Sequence, residues 1–252
     1  MGRFATTVPL YREFRPPYPQ EFFRSVAQRL ALSKADALID LGTGPGLIAL
    51  GFGPYVGRIV GVDPEPAMLA VARKAAAHAR QALTLIEAKA EALPADIGTF
   101  NIVTIGRALH WMDRDAMARL FERLVAPGGA IVVCSSNSAA DRRNPWLADY
   151  NEARHRWSRP ANAQRPREPL AAVLRGTPFH VTDVLSVETS HEVSVSDLAQ
   201  RVLTFSSSSP EVLAGRVEPM LRDVEQRLSP HSRGGCLTEI IVSTAQIARR
   251  IA

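Results

Sequence analysis

The sequence predicts an α/β fold built on a mostly parallel sheet, and three observations carry that expectation. The chain has 252 residues, enough for one α/β domain with insertions or for one and a half domains. From about residue 37 short β-rich runs alternate with helical patterns, an order that requires crossover connections. A glycine-rich turn, Asp40-Leu41-Gly42-Thr43-Gly44-Pro45-Gly46, stands where a buried strand gives way to a helix.

Five strands are read in the first half, at 37–41, 58–62, 83–88, 100–105 and 130–135. Between the second and third, Pro66 suits a helix's first turn, and Met68, Leu69 and Ala72 begin an apolar stripe that runs to Ala79. After the fourth, Asp113 is placed to cap a helix whose Met117, Leu120, Phe121 and Leu124 fall at i, i+3, i+4 and i+7. The turn Pro127-Gly128-Gly129 is expected to end that helix and open strand five. Residues 137–178, rich in Asn, Pro and Arg, read as an insertion with one helix around Trp146 to Trp157. A strand returns at 179–190. Ser194 and Asp197 then resemble a capping pair ahead of Leu198, Val202 and Leu203. Val217, Leu221, Val224 and Leu228 form a further helical stripe in which Pro219 predicts a kink or a boundary, and LTEIIVSTAQI is the last strand.

Composition removes several classes. With 46% apolar and 22% charged residues the chain is neither collagen-like, disordered nor a disulfide scaffold. Cys134 and Cys236 lack a CxxC partner, and no two histidines have a ligand spacing, so no metal is expected. The net charge of +5 comes from 27 Arg against 3 Lys without a run of like charges, which argues against a nucleic-acid tail. No signal-peptide core and no apolar run near the roughly 18 residues of a membrane span is present, so a soluble cytoplasmic protein is expected.

Glycines at the turn allow a ligand to approach the backbone, while a helix N-terminus offers donors to an anionic group. The dinucleotide fingerprint would need a third glycine where Leu47 stands, and no Gly-Lys-Ser/Thr of a Walker loop follows. Asp63, ending strand two in GVDPEP, lies 19 residues after Gly44, where an acid can accept from ribose hydroxyls. The ordered set ALIDLGTGPG, VGVDPEPAML, AEALP, FNIVTIGRALHWMD and LVAPGGAIVV resembles the class I S-adenosylmethionine-dependent methyltransferases over about residues 37–136. The opening YREFRPPYP further resembles a subgroup of trans-aconitate-type and natural-product enzymes.

The resemblance implies a Rossmann-like seven-strand sheet, mostly parallel with an antiparallel C-terminal strand, helices on both faces and helical cap insertions. It divides the chain into an N-terminal strap over the cofactor site (1–31), a core (32–136), an insertion (137–178), a core strand (179–191), a helical cap (192–232) and a final strand with tail (233–252). It places Gly42, Thr43 and Gly44 against the methionine part of S-adenosylmethionine, Asp63 on the ribose, and Pro64 and Met68 beside the adenine. Tyr11, Arg15 and Arg107 would also border the cofactor, and Tyr18 the substrate. Where the family carries an adenine-binding Asp, this chain has Lys89, a donor only, so adenine must rest on the Ala90 backbone, on Glu91 or on water.

His110-Trp111 follows strand four at the carboxyl edge, where ligands of open α/β sheets bind. His110 suits a general base and Trp111 a substrate-pocket wall; a histidine capping the next helix and a packed tryptophan are the equal alternatives. Seven arginines (142, 143, 154, 156, 159, 165 and 167) against four acids crowd 141–168. Such a cluster reads first as a solvated surface and second as a site for an anionic substrate. The leading expectation is methyl transfer to a small organic molecule, leaving S-adenosylhomocysteine. The alternatives are a tRNA or other nucleic-acid methyltransferase, against which stands the missing NPPY-type signature after strand four, and a non-catalytic S-adenosylmethionine-binding regulator.

Overall fold

A computed structural model of the chain describes residues 8–158 and 169–250. Residues 1–7 of the expected strap, and Arg159, Arg165, Arg167 and Glu168 of the insertion, lie outside the described residues. Seven strands form one sheet: β1 (Ala37–Leu41), β2 (Arg58–Asp63), β3 (Thr84–Glu87), β4 (Phe100–Gly106), β5 (Val125–Ser138), β6 (Phe179–Ser194) and β7 (Cys236–Arg250). Their order is β3-β2-β1-β4-β5-β7-β6, with β3 to β5 joined through parallel pairs and an antiparallel C-terminal strand. The expected fold class is therefore the observed one.

The molecule divides into two compact units. The larger comprises the described residues of 18–135, 165–187 and 243–252. Its central strand β1 is buried on both faces because successive side chains point to opposite sides. Leu38 joins Ile102, Phe22, Phe23, Val26 and Ile48 on one face; Ile39 joins Val103, Met117 and Phe121 on the other. Ile102 and Val103 come from β4 and the other partners from α2 (Gln20–Leu30), α3 (Leu47–Gly51) and α5 (Arg114–Leu124), while α4 (Pro66–Ala79) links β2 to β3. Pro66 opens α4 and the Asp113 carboxylate caps α5 by accepting from the Ala116 amide at 3.0 Å, as the sequence predicts. Strand five differs from expectation: Phe100 pairs with Val125 before Ile102 pairs with Ala130. Pro127-Gly128-Gly129 is thus an irregularity inside β5 rather than its start, with Gly128 at φ +75°.

The smaller unit comprises the described residues of 1–17, 136–164 and 188–242. It holds α1 (Val8–Phe14), α6 (Leu147–Trp157), α8 (Val195–Val202), α9 (Pro210–Leu213) and α10 (Val217–Leu228), whereas the short α7 (Leu170–Val173) belongs to the larger unit. Trp146, Tyr150, Leu198, Val202, Met220, Val224 and Leu228 form its core. Ser194 caps α8, accepting from the Asp197 amide at 2.9 Å. Pro219 neither kinks nor divides α10. It stands in the first turn, where a backbone N–H has no intrahelical acceptor to lose, so the whole stripe stays on one helix.

One buried ion pair braces this unit. Arg201 grips Glu239 through Nη1 and Nη2 at 2.7 and 2.9 Å, Arg201 Nε donates to Phe14 O at 2.7 Å, and Ser138 Oγ donates to Glu239 Oε1 at 2.6 Å. Burial acts to raise the Glu239 pKa, but the Arg201 hydrogen bonds and charge outweigh it and hold the carboxyl below its ordinary range. Replacing Arg201 by Met is expected to lower the unfolding free energy by about 3–5 kcal/mol in urea denaturation, since Glu239 would remain charged and buried. A loss below about 1 kcal/mol would mark the pair as dispensable.

Candidate functional site

The site is built where β1, β2 and β4 end in the larger unit. Asp63 closes β2 and is 9% exposed. Its Oδ2 accepts from the Gly44 amide at 2.8 Å and its Oδ1 from the Glu65 amide at 2.9 Å. Burial pushes its pKa up against those two bonds. A carboxylate offers about four acceptor positions, so each oxygen keeps capacity for a ligand hydroxyl.

The glycine loop turns its amides inward. Val62 O accepts from Gly42 and Thr43 at 2.8 and 2.9 Å, Gly44 serves Asp63, and Gly46 donates to Thr43 O at 2.9 Å. Pro45 has no N–H. The expected donation from this loop and helix start to an anionic group is therefore not available from residues 42–46, and α3 spans only five residues. What the loop provides is proximity. Gly42 sits at φ +71°, and a Cβ there would lie 2.5 Å from Ala108 Cβ and 3.3 Å from Met112 Cε. Only glycine lets the segment after β4 come so close. Met68 is buried, its Sδ 4.0 Å from where a Gly44 Cβ would be, while Pro64 is exposed.

Beneath the loop lies a residue to which the sequence reading gave no role. Asp40 is 1% exposed; Thr104 Oγ1 donates to its Oδ1 at 2.8 Å, and its Oδ2 has no hydrogen-bond partner. Burial pushes its pKa up to about 6 despite nearby hydroxyls. An acid heading a glycine turn inside an otherwise apolar strand was the available signal.

At the carboxyl edge of β4, Arg107 adopts a left-handed backbone at φ 58°, which costs a non-glycine residue about 1–3 kcal/mol. Its amide donates to Cys134 O at 3.3 Å, and its guanidinium carbon lies 5.1 Å from the Tyr18 ring centroid. Tyr18 in turn packs on Phe22 and Phe23, so α2 fixes it beside Arg107. A single turn of 3₁₀ helix, Leu109–Trp111, follows. His110 and Trp111 stack with ring centroids 4.7 Å apart, His110 half-buried and Trp111 exposed. Glu91 Oε1 accepts from the Asp113 amide at 2.8 Å and so holds the start of α5, beside a buried Ala90 and an exposed Lys89. Cys134 is buried in β5 and burial raises its thiol pKa well above the ordinary value, which makes it an inert core residue.

The structure thus brings Gly42, Thr43, Gly44, Asp63, Met68, Tyr18, Arg107, His110 and Trp111 together within the larger unit. Tyr11 and Arg15 belong to the smaller one. Arg15 Nη2 donates to Thr204 O at 3.0 Å, and its guanidinium carbon lies 3.9 Å from the Phe205 ring and 5.1 Å from that of Tyr11. Among the described residues no group of three or more His, Cys, Asp or Glu could hold a metal, and no helix is long and apolar enough to cross a membrane.

Residues 39–133, the stretch that carries all of these core positions except Tyr18, match the family model of the methyltransferase domain. This segment is similar to a methyltransferase domain. An uncharacterized methyltransferase of Mycobacterium tuberculosis is 30% identical over 149 residues, covering 59% of this chain and 57% of that protein. A demethylmenaquinone methyltransferase of Thermus thermophilus is 37% identical over 115 residues, or 44% of this chain and 52% of the relative. The chain thus spans little more than half the length of these curated relatives. Among solved structures, S-adenosylmethionine-dependent methyltransferases of Thiobacillus denitrificans and Geobacter sulfurreducens, each in complex with S-adenosylhomocysteine, superpose with TM-scores of 0.60 and 0.59. They are 17% and 15% identical and cover 98% and 99% of this chain and 98% of each of theirs. These superpositions show the fold, a Rossmann-like seven-stranded sheet of the kind those enzymes have.

Asp40 gives this domain a pH signature. Its native pKa near 6 exceeds the ordinary 3.8, so between those values the native state holds a proton that the unfolded chain has released. Its contribution to stability therefore falls as pH rises through that window. Asp40→Asn is expected to flatten this part of the curve in denaturant titrations from about pH 4 to 8. An unchanged slope in the variant would place the titrating group elsewhere.

Proposed function

We propose that the protein is an S-adenosylmethionine-dependent methyltransferase acting on a small organic molecule. The observation that carries this reading is Asp63, buried at the end of β2 and braced on the glycine loop by the Gly44 amide with acceptor capacity to spare. The cofactor fits the residues present. Asp63 would accept from the ribose hydroxyls, and Met68, Pro64 and the Ala90 backbone would border the adenine. Gly42, Thr43 and Gly44 would let the amino-acid portion approach, with the unpartnered Asp40 Oδ2 beneath them as an acceptor for its ammonium. Arg107 and Tyr18 flank the same edge. Glu91 is committed to the Asp113 amide and Lys89 is exposed, so adenine selection rests on shape and backbone. When bound, the cofactor supplies an electrophilic methyl carbon on a sulfonium.

The protein's task in such a displacement is alignment and exclusion of water. His110, held against Trp111 after β4, is assigned as the base that takes the acceptor's proton. Trp111 is assigned to the acceptor pocket. Small-molecule relatives support the substrate class: the Thermus thermophilus demethylmenaquinone enzyme and a ubiquinone/menaquinone biosynthesis C-methyltransferase of Syntrophotalea carbinolica, 30% identical over 127 residues. Placement in the trans-aconitate-type subgroup rests on YREFRPPYP alone.

Asp63→Ala is expected to weaken S-adenosylhomocysteine binding by roughly tenfold to a hundredfold in calorimetry, from loss of charge-assisted bonds of about 1.5–3 kcal/mol. Unchanged affinity in a folded variant would remove Asp63 from the site. His110→Ala should lower kcat by about a hundredfold to ten-thousandfold with S-adenosylhomocysteine affinity near wild type. A wild-type kcat that stays flat from about pH 5.5 to 8.5 would refute the base assignment.

A further inference from the structure

Inside β1 of the larger unit an acid stands among groups that do not balance its charge. Asp40 pairs across the sheet with Gly61 of β2, and the missing side chain there seats Thr43 against that strand, its Oγ1 3.1 Å from where a Gly61 Cβ would be. Thr104, from β4, donates to Asp40 Oδ1, whereas Asp40 Oδ2 and the Thr43 hydroxyl are both buried without a hydrogen-bond partner. Burial is the largest influence on the carboxyl and raises its pKa to about 6, with Asp63 adding a like charge from the end of β2, against the Thr43 and Thr104 hydroxyls and the Ala49 backbone. From β5 the Cys134 thiol also senses Asp40, and Arg107, after β4, acts on that same thiol. The Arg107 charge does not bring Asp40 back to the ordinary carboxylate range. A buried acid in this state ionises more fully when a further positive charge arrives beside it.

We propose that Asp40 is the residue by which this site tells the sulfonium cofactor from its neutral thioether product. The inference rests on the methyltransferase reading above and gives Asp40 a specificity beyond accepting from the ammonium. S-adenosylmethionine carries one more positive charge than S-adenosylhomocysteine, while the ammonium and carboxylate are common to both. Asp40 is therefore ionised more fully with the sulfonium form bound than with the product bound, and the proton that makes the difference is exchanged with solvent. No bond to the sulfur is required, because a charge in a poorly solvated site acts over several ångströms. At acid pH the sulfonium form must expel a proton from Asp40 in order to bind. Its affinity thus rises as the pH climbs through the range where the free site loses that proton, and levels off above it. The affinity for the product rises less.

The test titrates S-adenosylmethionine and S-adenosylhomocysteine into the full chain by calorimetry from about pH 5 to 7.5, in two buffers of different ionisation enthalpy so that released protons are counted. In the wild type the affinity ratio is expected to move in favour of S-adenosylmethionine by about tenfold across that range. Near the acid end S-adenosylmethionine should also release more protons than S-adenosylhomocysteine. Asp40→Asn, which is neutral and close in shape to the protonated acid, should bind both ligands and lose both differences. Equal proton release by the two ligands in the wild type would overturn the role of Asp40, and this count decides the matter even where the variant fails to fold. A pH-dependent preference that survives in Asp40→Asn would belong to another group, such as His110, and would overturn it as well. Failure of the wild type to bind either ligand at any pH would instead overturn the methyltransferase reading.

Discussion

The end of β2 holds the domain's candidate site in place, because the carbonyl of Val62 and the carboxylate of Asp63 together take up the amides of Gly42, Thr43 and Gly44. A loop whose donors are satisfied from one side is stiff without needing a side chain of its own. Gly42 can then be spent on closeness, and Ala108 fills the volume its missing side chain leaves. The segment bearing Arg107, His110 and Trp111 is positioned by that contact and by the Arg107 amide on Cys134 O. A change at Val62 or Gly42 would therefore reach His110 through packing rather than through any direct bond.

Two buried acids near this loop are handled differently, and the difference assigns them different work. Asp63 accepts two backbone hydrogen bonds and sits at a strand end, where a ligand can reach its remaining lone pairs. Asp40 lies inside β1 with the Thr104 hydroxyl on its Oδ1, and burial outweighs the hydrogen bonding around it and pushes its pKa up to about 6. The first is suited to recognition by hydrogen bonding. The second is suited to sensing positive charge, because a nearby cation would favour the ionised form that burial disfavours. In the smaller unit Glu239 shows the third outcome: fully buried, yet held ionised by a bidentate arginine.

Surface electrostatics follow the usual rule and leave function to the interior. Arg143 bridges Asp141 and Glu188, and this pairing pulls Asp141 down to about 2, yet all three are exposed and the arrangement is worth little to stability. The described arginines of the insertion thus divide between a solvated surface, as at Arg143, and an interior role, as at Arg154 against Phe205. Composition alone treats the two alike.

The local features were legible in the sequence because they are set by neighbours in the chain: the apolar stripe of α5 and its Asp113 cap, the Ser194 cap of α8, the glycine spacing of the β1 turn, and an acid ending β2. Helix α2 escaped because its start lies among Pro16, Pro17 and Pro19, and Pro219 misled because its effect depends on where in a helix it falls, not on its presence. Tertiary structure alone decided which way the loop amides face, that Glu91 serves the Asp113 amide, and that Arg15 and Arg154 both cover the Phe205 ring. Each of these joins groups far apart in the chain, such as Glu91 to Asp113 across 22 residues or Arg15 to Thr204 across 189. Their partners are chosen by burial and packing, which no local pattern of residues encodes.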